Sequence, residues 1–158
     1  MQIEDLLQDD DFSDIMMAHC ADILDFLLET EESFSIVCDL AAVEFKPQLP
    51  TEITNGLKPM TLFEISGYTL ESAEVSEGGD FLYFEAAFGP RNFESSVLVQ
   101  IDAILQILVE TTPIFVNLTA LPQNRAKKPF RVSMTGDENI DRSMQSFLDD
   151  PENKKFFE

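Results

Sequence analysis

The stretch Phe81-Leu82-Tyr83-Phe84-Glu85-Ala86-Ala87-Phe88-Gly89 decides how the rest of the chain is read. Its aromatic density predicts a strand over residues 81–88. Gly78-Gly79 ahead of it supplies a turn able to take positive φ, and Gly89-Pro90-Arg91-Asn92 reverses the chain behind it. Residues 63–74 alternate in part and read as the strand before the turn, and residues 93–100 read as the strand after it. Ile101, Ile104, Leu105 and Leu108 fall at helical spacing and predict a short helix, and residues 114–118 predict a last strand. The small side chains of Ala86 and Ala87 leave backbone open beside Phe88, as a surface that holds an extended peptide requires.

Working outward, Ser13 is the expected N-cap of a helix over residues 13–30, with Asp14 in its first turn. Met16, Cys20, Ile23 and Leu27 form one apolar stripe, and Met17, Ala21, Leu24 and Leu28 form a second beside it. Two stripes exceed what one sheet contact needs. Either both are core, or the second meets a symmetry mate. Residues 34–40 read as a strand containing Cys38, expected to be a buried small hydrophobe. Residues 41–61 hold Pro47, Pro50 and Pro59 and have room for one short edge strand. Residues 1–12, with Asp9-Asp10-Asp11, read as an acidic arm; no Gly follows the aspartates, so they do not form an EF-hand loop.

Charge and composition narrow the function. The net charge is −20; residues 1–124 carry 23 acidic side chains against Lys46, Lys58 and Arg91, whereas residues 125–158 carry seven of each sign. An acidic body disfavours nucleic acid and anionic membrane as partners. His19 is the one histidine, which argues against a catalytic triad or a His-rich metal site; no glycine-rich phosphate loop is present. The expectation is a non-enzyme with no cofactor and no metal. No run of about 18 apolar residues occurs. Two cysteines and an acidic start predict a cytoplasmic protein without a disulfide framework.

Residues 62–75, then residues 81–89 and residues 97–109, resemble the core of the stringent starvation protein B (SspB) family, a strand with an aromatic-small-Phe-Gly exit followed by an apolar segment. The helix over residues 13–30 and the strand with Val37-Cys38-Asp39 fall in the same order. The resemblance covers residues 13–118. It implies an α+β fold, with an N-terminal helix packed on a small, strongly bent antiparallel β-barrel of the SspB-like, Sm-like type. The expected division is an acidic arm over residues 1–12, the helix-plus-barrel domain over residues 13–122 and a basic-then-polar tail over residues 123–158.

SspB-like proteins are adaptors. The resemblance implies peptide binding, with an ssrA-like degradation tag held in a groove by Tyr68, Thr69, Ala86, Ala87 and Phe88, and delivery of tagged clients to an AAA+ protease such as ClpXP. It implies a homodimer through the helix, with Met17, Ala21, Leu24 and Leu28 at the interface. The family's arginine near the Phe-Gly exit is replaced here by Ala87. Lys128, Pro129, Phe130, Arg131 and Val132 are similar to the family's unfoldase-docking segment, although 26 residues follow them here. The rival expectation is a small acidic dimeric chaperone of the secretion class that wraps a longer client segment.

Overall fold

The computed structural model describes residues 1–125. Two helices, α1 (Ile3–Leu7) and α2 (Asp10–Glu29), precede strand β1 (Phe34–Asp39), a 3-10 turn (Leu40–Ala42) and β2 (Val43–Lys46). Helix α3 (Thr51–Thr54), β3 (Met60–Ile65), α4 (Gly67–Ser72) and β4 (Glu74–Val75) follow. Then come β5 (Phe81–Phe88), β6 (Phe93–Gln100), a 3-10 turn (Ile101–Ala103), β7 (Ile104–Val109), β8 (Thr112–Val116), a 3-10 turn (Leu118–Ala120) and α5 (Pro122–Arg125).

The strands form two four-stranded antiparallel sheets, ordered β3-β1-β7-β8 and β2-β6-β5-β4. The architecture is α+β. Two ribbons cross between the sheets. β1 bends through its 3-10 turn into β2, and β6 bends through its own into β7. β1 pairs with β7 and β2 with β6, so both ribbons turn the corner together. The described strands leave both sheets open, with β3 and β8 at the edges of one and β2 and β4 at the edges of the other.

One guanidinium ties the two bends. Arg125 reaches Asp39 Oδ2 at 3.2 Å through Nη1, and Asp102 Oδ1 at 3.4 Å through Nη2. Its Nη2 also donates to Gln100 Oε1 at 3.5 Å. Asp39 closes β1, and its Oδ1 accepts from the Ala41 amide at 3.0 Å, which caps the turn that starts there. Asp102 lies in the other turn.

Between the sheets lies the core, with Phe34, Ile36, Phe63, Ile65, Ile104 and Ile107 from the first and Leu82, Phe84, Val97 and Val99 from the second. Helix α2 adds Cys20, Leu24 and Leu27. Phe84 meets Phe63 edge-on with ring centroids 5.7 Å apart, the favourable geometry for two aromatic quadrupoles. Gly79 has φ of 77°, and a side chain there would meet Ala21 Cβ at 3.2 Å, so this turn is glycine for conformation and for close approach to α2.

The strands at β5 and β6, the positive-φ turn at Gly78 and Gly79 and the edge strand at β2 match the sequence expectations. Three elements differ. Helix α2 starts a turn early, because Asp9 Oδ1 accepts from the Phe12 amide at 2.9 Å and takes the capping role expected of Ser13, which is buried inside the helix. The arm expected over residues 1–12 is correspondingly helical in part, as α1 and the first turn of α2. Residues 63–74 are three elements, since Gly67, at φ of 56°, redirects the chain into α4. The helix expected from Ile101, Ile104, Leu105 and Leu108 is a 3-10 turn running into β7, where neighbours on both sides satisfy the backbone of a β-branched segment.

Both cysteines are free and buried in the core. Burial pushes each thiol up from 9.0 to about 12, with Asp39 adding to the effect at Cys38. Native protein at pH 8 is therefore expected to resist iodoacetamide at both sites and to alkylate fully once unfolded, as mass spectrometry would read. The thiols favour the folded state fully below pH 9.0, and that contribution is lost as pH rises toward about 12. Rapid native labelling of either would contradict the packing around α2 and β1.

Candidate functional site

Because β5 and β6 pair in register over their full length, alternate side chains go to opposite faces. Leu82 and Phe84 lie opposite Val99 and Val97 on the concave, core-facing side. Phe81, Tyr83, Glu85 and Ala87 lie opposite Gln100, Leu98, Ser96 and Glu94 on the convex side. β2 extends this convex face, placing Glu44 beside Leu98 and Lys46 beside Ser96.

At the far end of the convex face the strand residues are small, and a hollow of ≈ 170 Å³ opens. Its walls are Lys46 and Pro47 at the end of β2 and Tyr68 of α4; between them lie Glu85, Ala86 and Ala87 of β5 and Glu94, Ser95 and Ser96 of β6. Hydrogen bonds hold both walls. Ser72 Oγ of α4 accepts from the Glu85 amide at 2.9 Å, which ties the helix to the margin of β5. Ser95 Oγ donates to the Pro47 carbonyl at 2.8 Å, which fixes the chain leaving β2. The Tyr68 hydroxyl donates to Glu85 Oε2 at 2.9 Å. That bond, reinforced by the charge of the same carboxylate, raises the Tyr68 pKa and keeps the exposed phenol a donor.

Of the residues expected in a groove, Tyr68, Ala86 and Ala87 come together around this hollow. Tyr68 and Thr69 stand on α4 rather than on a strand. The Thr69 carbonyl accepts from Ser72 Oγ at 2.7 Å, so Thr69 supports the helix and is not among the lining residues. Phe88 turns to the aromatic cluster, 5.7 Å from Phe45 and 6.1 Å from Phe63, and is not a wall. Its place opposite Phe93, four residues on from Phe84 and so on the same core-facing side, accounts for this. Lys46, Glu85, Glu94, Ser95 and Ser96 were not expected. The hairpin register was the signal for the last four, because Glu85 adjoins Ala86, Ser95 and Glu94 lie opposite Ala86 and Ala87, and Ser96 lies opposite Glu85.

Along α2, the stripe expected at a dimer interface is divided. Ala21 and Leu24 are buried in the chain's own core, Leu24 completely, so neither is open to a partner in this fold. Met17 and Leu28 are half-buried against the same core. The large apolar residues exposed on this helix are Ile15 and Phe26. His19 is exposed on α2, its ring 5.8 Å from that of Phe115 on β8. The segment expected to dock on an unfoldase, Lys128 to Val132, lies outside the described residues.

Among the described residues, no group of three or more His, Cys, Asp or Glu side chains is placed to hold a metal ion. No described helix is long and apolar enough to cross a membrane. No protein-family model matches the chain, and no curated protein matches it.

Proposed function

We propose that this protein is a non-enzymatic adaptor that holds an extended peptide across the convex face of its second sheet. The carrying observation is the hollow beside Tyr68, floored by small side chains and bordered by both a cation and carboxylates. Small residues admit the main chain of a guest; at the margins Lys46 can donate to it, and the Tyr68 oxygen, whose hydrogen is given to Glu85, can accept from it. The two bent ribbons suit a strongly curved sheet of the SspB-like, Sm-like barrel type, and that pattern supports a tag-binding adaptor that delivers clients to an AAA+ protease in the cytoplasm. The test is anisotropy of a fluorescently labelled ssrA-like peptide. Ala87→Trp fills the hollow from an exposed position and is expected to weaken binding by about 10-fold or more, equivalent to about 1.4 kcal/mol or above. Equal affinity of the two chains, or no binding by either, would sink this reading.

A second reading, the dimeric chaperone, draws support from one feature. Ile114, Val116 and Leu118, in and just after β8, are exposed, as are Ile15 and Phe26 on α2, the helix whose His19 ring lies 5.8 Å from that of Phe115. Client binding abolished by Val116→Glu but untouched by Ala87→Trp would favour it.

A further inference from the structure

The convex face of the second sheet is buried at the end away from the hollow. Tyr83 is 0% exposed and Leu98 2%, and Phe81 and Gln100 are buried beside them. None of Phe81, Tyr83 and Leu98 belongs to the core cluster on the concave side. Carboxylates flank them. Glu44, Leu98, Tyr83 and Glu74 follow one another across four strands, with Glu85 two positions from Tyr83 on the same face. The described chain ends at the margin of this face, where Arg125 bonds Gln100, the partner of Phe81.

We propose that this face is the seat of the chain's own segment Lys127 to Val132. The sequence beyond Arg125 is Ala126-Lys127-Lys128-Pro129-Phe130-Arg131-Val132, which combines three cations with apolar side chains in a body otherwise strongly acidic. Lys127, Lys128 and Arg131 complement Glu44, Glu74 and Glu85, while Phe130 and Val132 suit a surface of Tyr83, Leu98 and Phe81. Reach is sufficient. Seven extended residues span about 23 Å, and four strands about 14 Å. Partly desolvated carboxylates strengthen such a pairing relative to one in open water. The inference stands apart from peptide binding at the hollow, and its test uses no guest peptide.

The full chain with Ser133→Cys carries one accessible thiol, because Cys20 and Cys38 are buried. A nitroxide attached there is expected to abolish the NMR signals of Leu98 and Tyr83 while sparing Leu62 and Val116 on the convex face of the other sheet. Lys127→Glu with Lys128→Glu is expected to restore the lost signals. Retention of the Leu98 and Tyr83 signals, or loss that persists in the charge-reversed chain, would overturn the proposal. So would the same loss in isotope-labelled, nitroxide-free chain mixed with spin-labelled chain, since the seat would then be filled by a second copy.

Discussion

Phe84→Ala is expected to destabilise the protein by about 3–5 kcal/mol, the range for removing a fully buried ring. Phe84 has no exposed surface and sits where the two sheets and the aromatic cluster meet. Its loss removes the edge contact with Phe63 and leaves a void that neighbours on two hydrogen-bonded ladders are poorly free to fill. Total stabilities run about 5–15 kcal/mol, so the variant should sit close to the unfolding threshold. Urea denaturation followed by circular dichroism measures the effect, and Phe84→Leu should lose markedly less. A midpoint for Phe84→Ala indistinguishable from the parent would mean that this side chain does not occupy the core described.

Arg125→Met is the second large effect, about 3–5 kcal/mol, the range for removing one partner of a buried ion pair. The Arg125 and Asp39 side chains are each 11% exposed, so removing the guanidinium strands carboxylates that water reaches poorly. Asp102, at 26%, is better hydrated and contributes less. Most of the loss is therefore assigned to Asp39, which also caps the bend after β1. The double change Arg125→Met with Asp39→Asn should lose less than the sum of the two single changes, because each removes the other's unpaired charge. Strict additivity would show that the guanidinium does not couple the bends. High salt should alter the effect little, since screening acts weakly on pairs held away from solvent.

These two residues also mark where the sequence was informative. The β5–β6 hairpin was legible because aromatic strands, a glycine turn and a Gly-Pro-Arg-Asn reversal all carry local signals. The bends were not. Ile101 and Ile104 fall at helical spacing because a 3-10 turn and the strand after it bring both inward, while Leu105 and Leu108, which complete the apparent stripe, are only half-buried on β7. Arg125 looked like the first residue of a basic tail, and its bonds to Asp39 and Asp102 depend on contacts 86 and 23 residues distant. At the candidate site, Ala86 and Ala87 were legible from the small-residue exit of β5, whereas Tyr68 entered only through the family resemblance. Phe88 was misplaced for want of the register, and Lys46 reaches the hollow only through the long-range pairing of β2 with β6.

The shared corner has a consequence for how the chain acquires its shape. The β5–β6 hairpin closes over a four-residue reversal and can form early, as can α2. The β1–β7 ladder sets Ile36 against Ile107, so it must wait for a loop spanning most of the described sequence. Such late pairing is the slow step in sheet proteins, and while it is pending unpaired strands stand open to neighbouring chains. A net charge of −20 makes those encounters repulsive throughout the search.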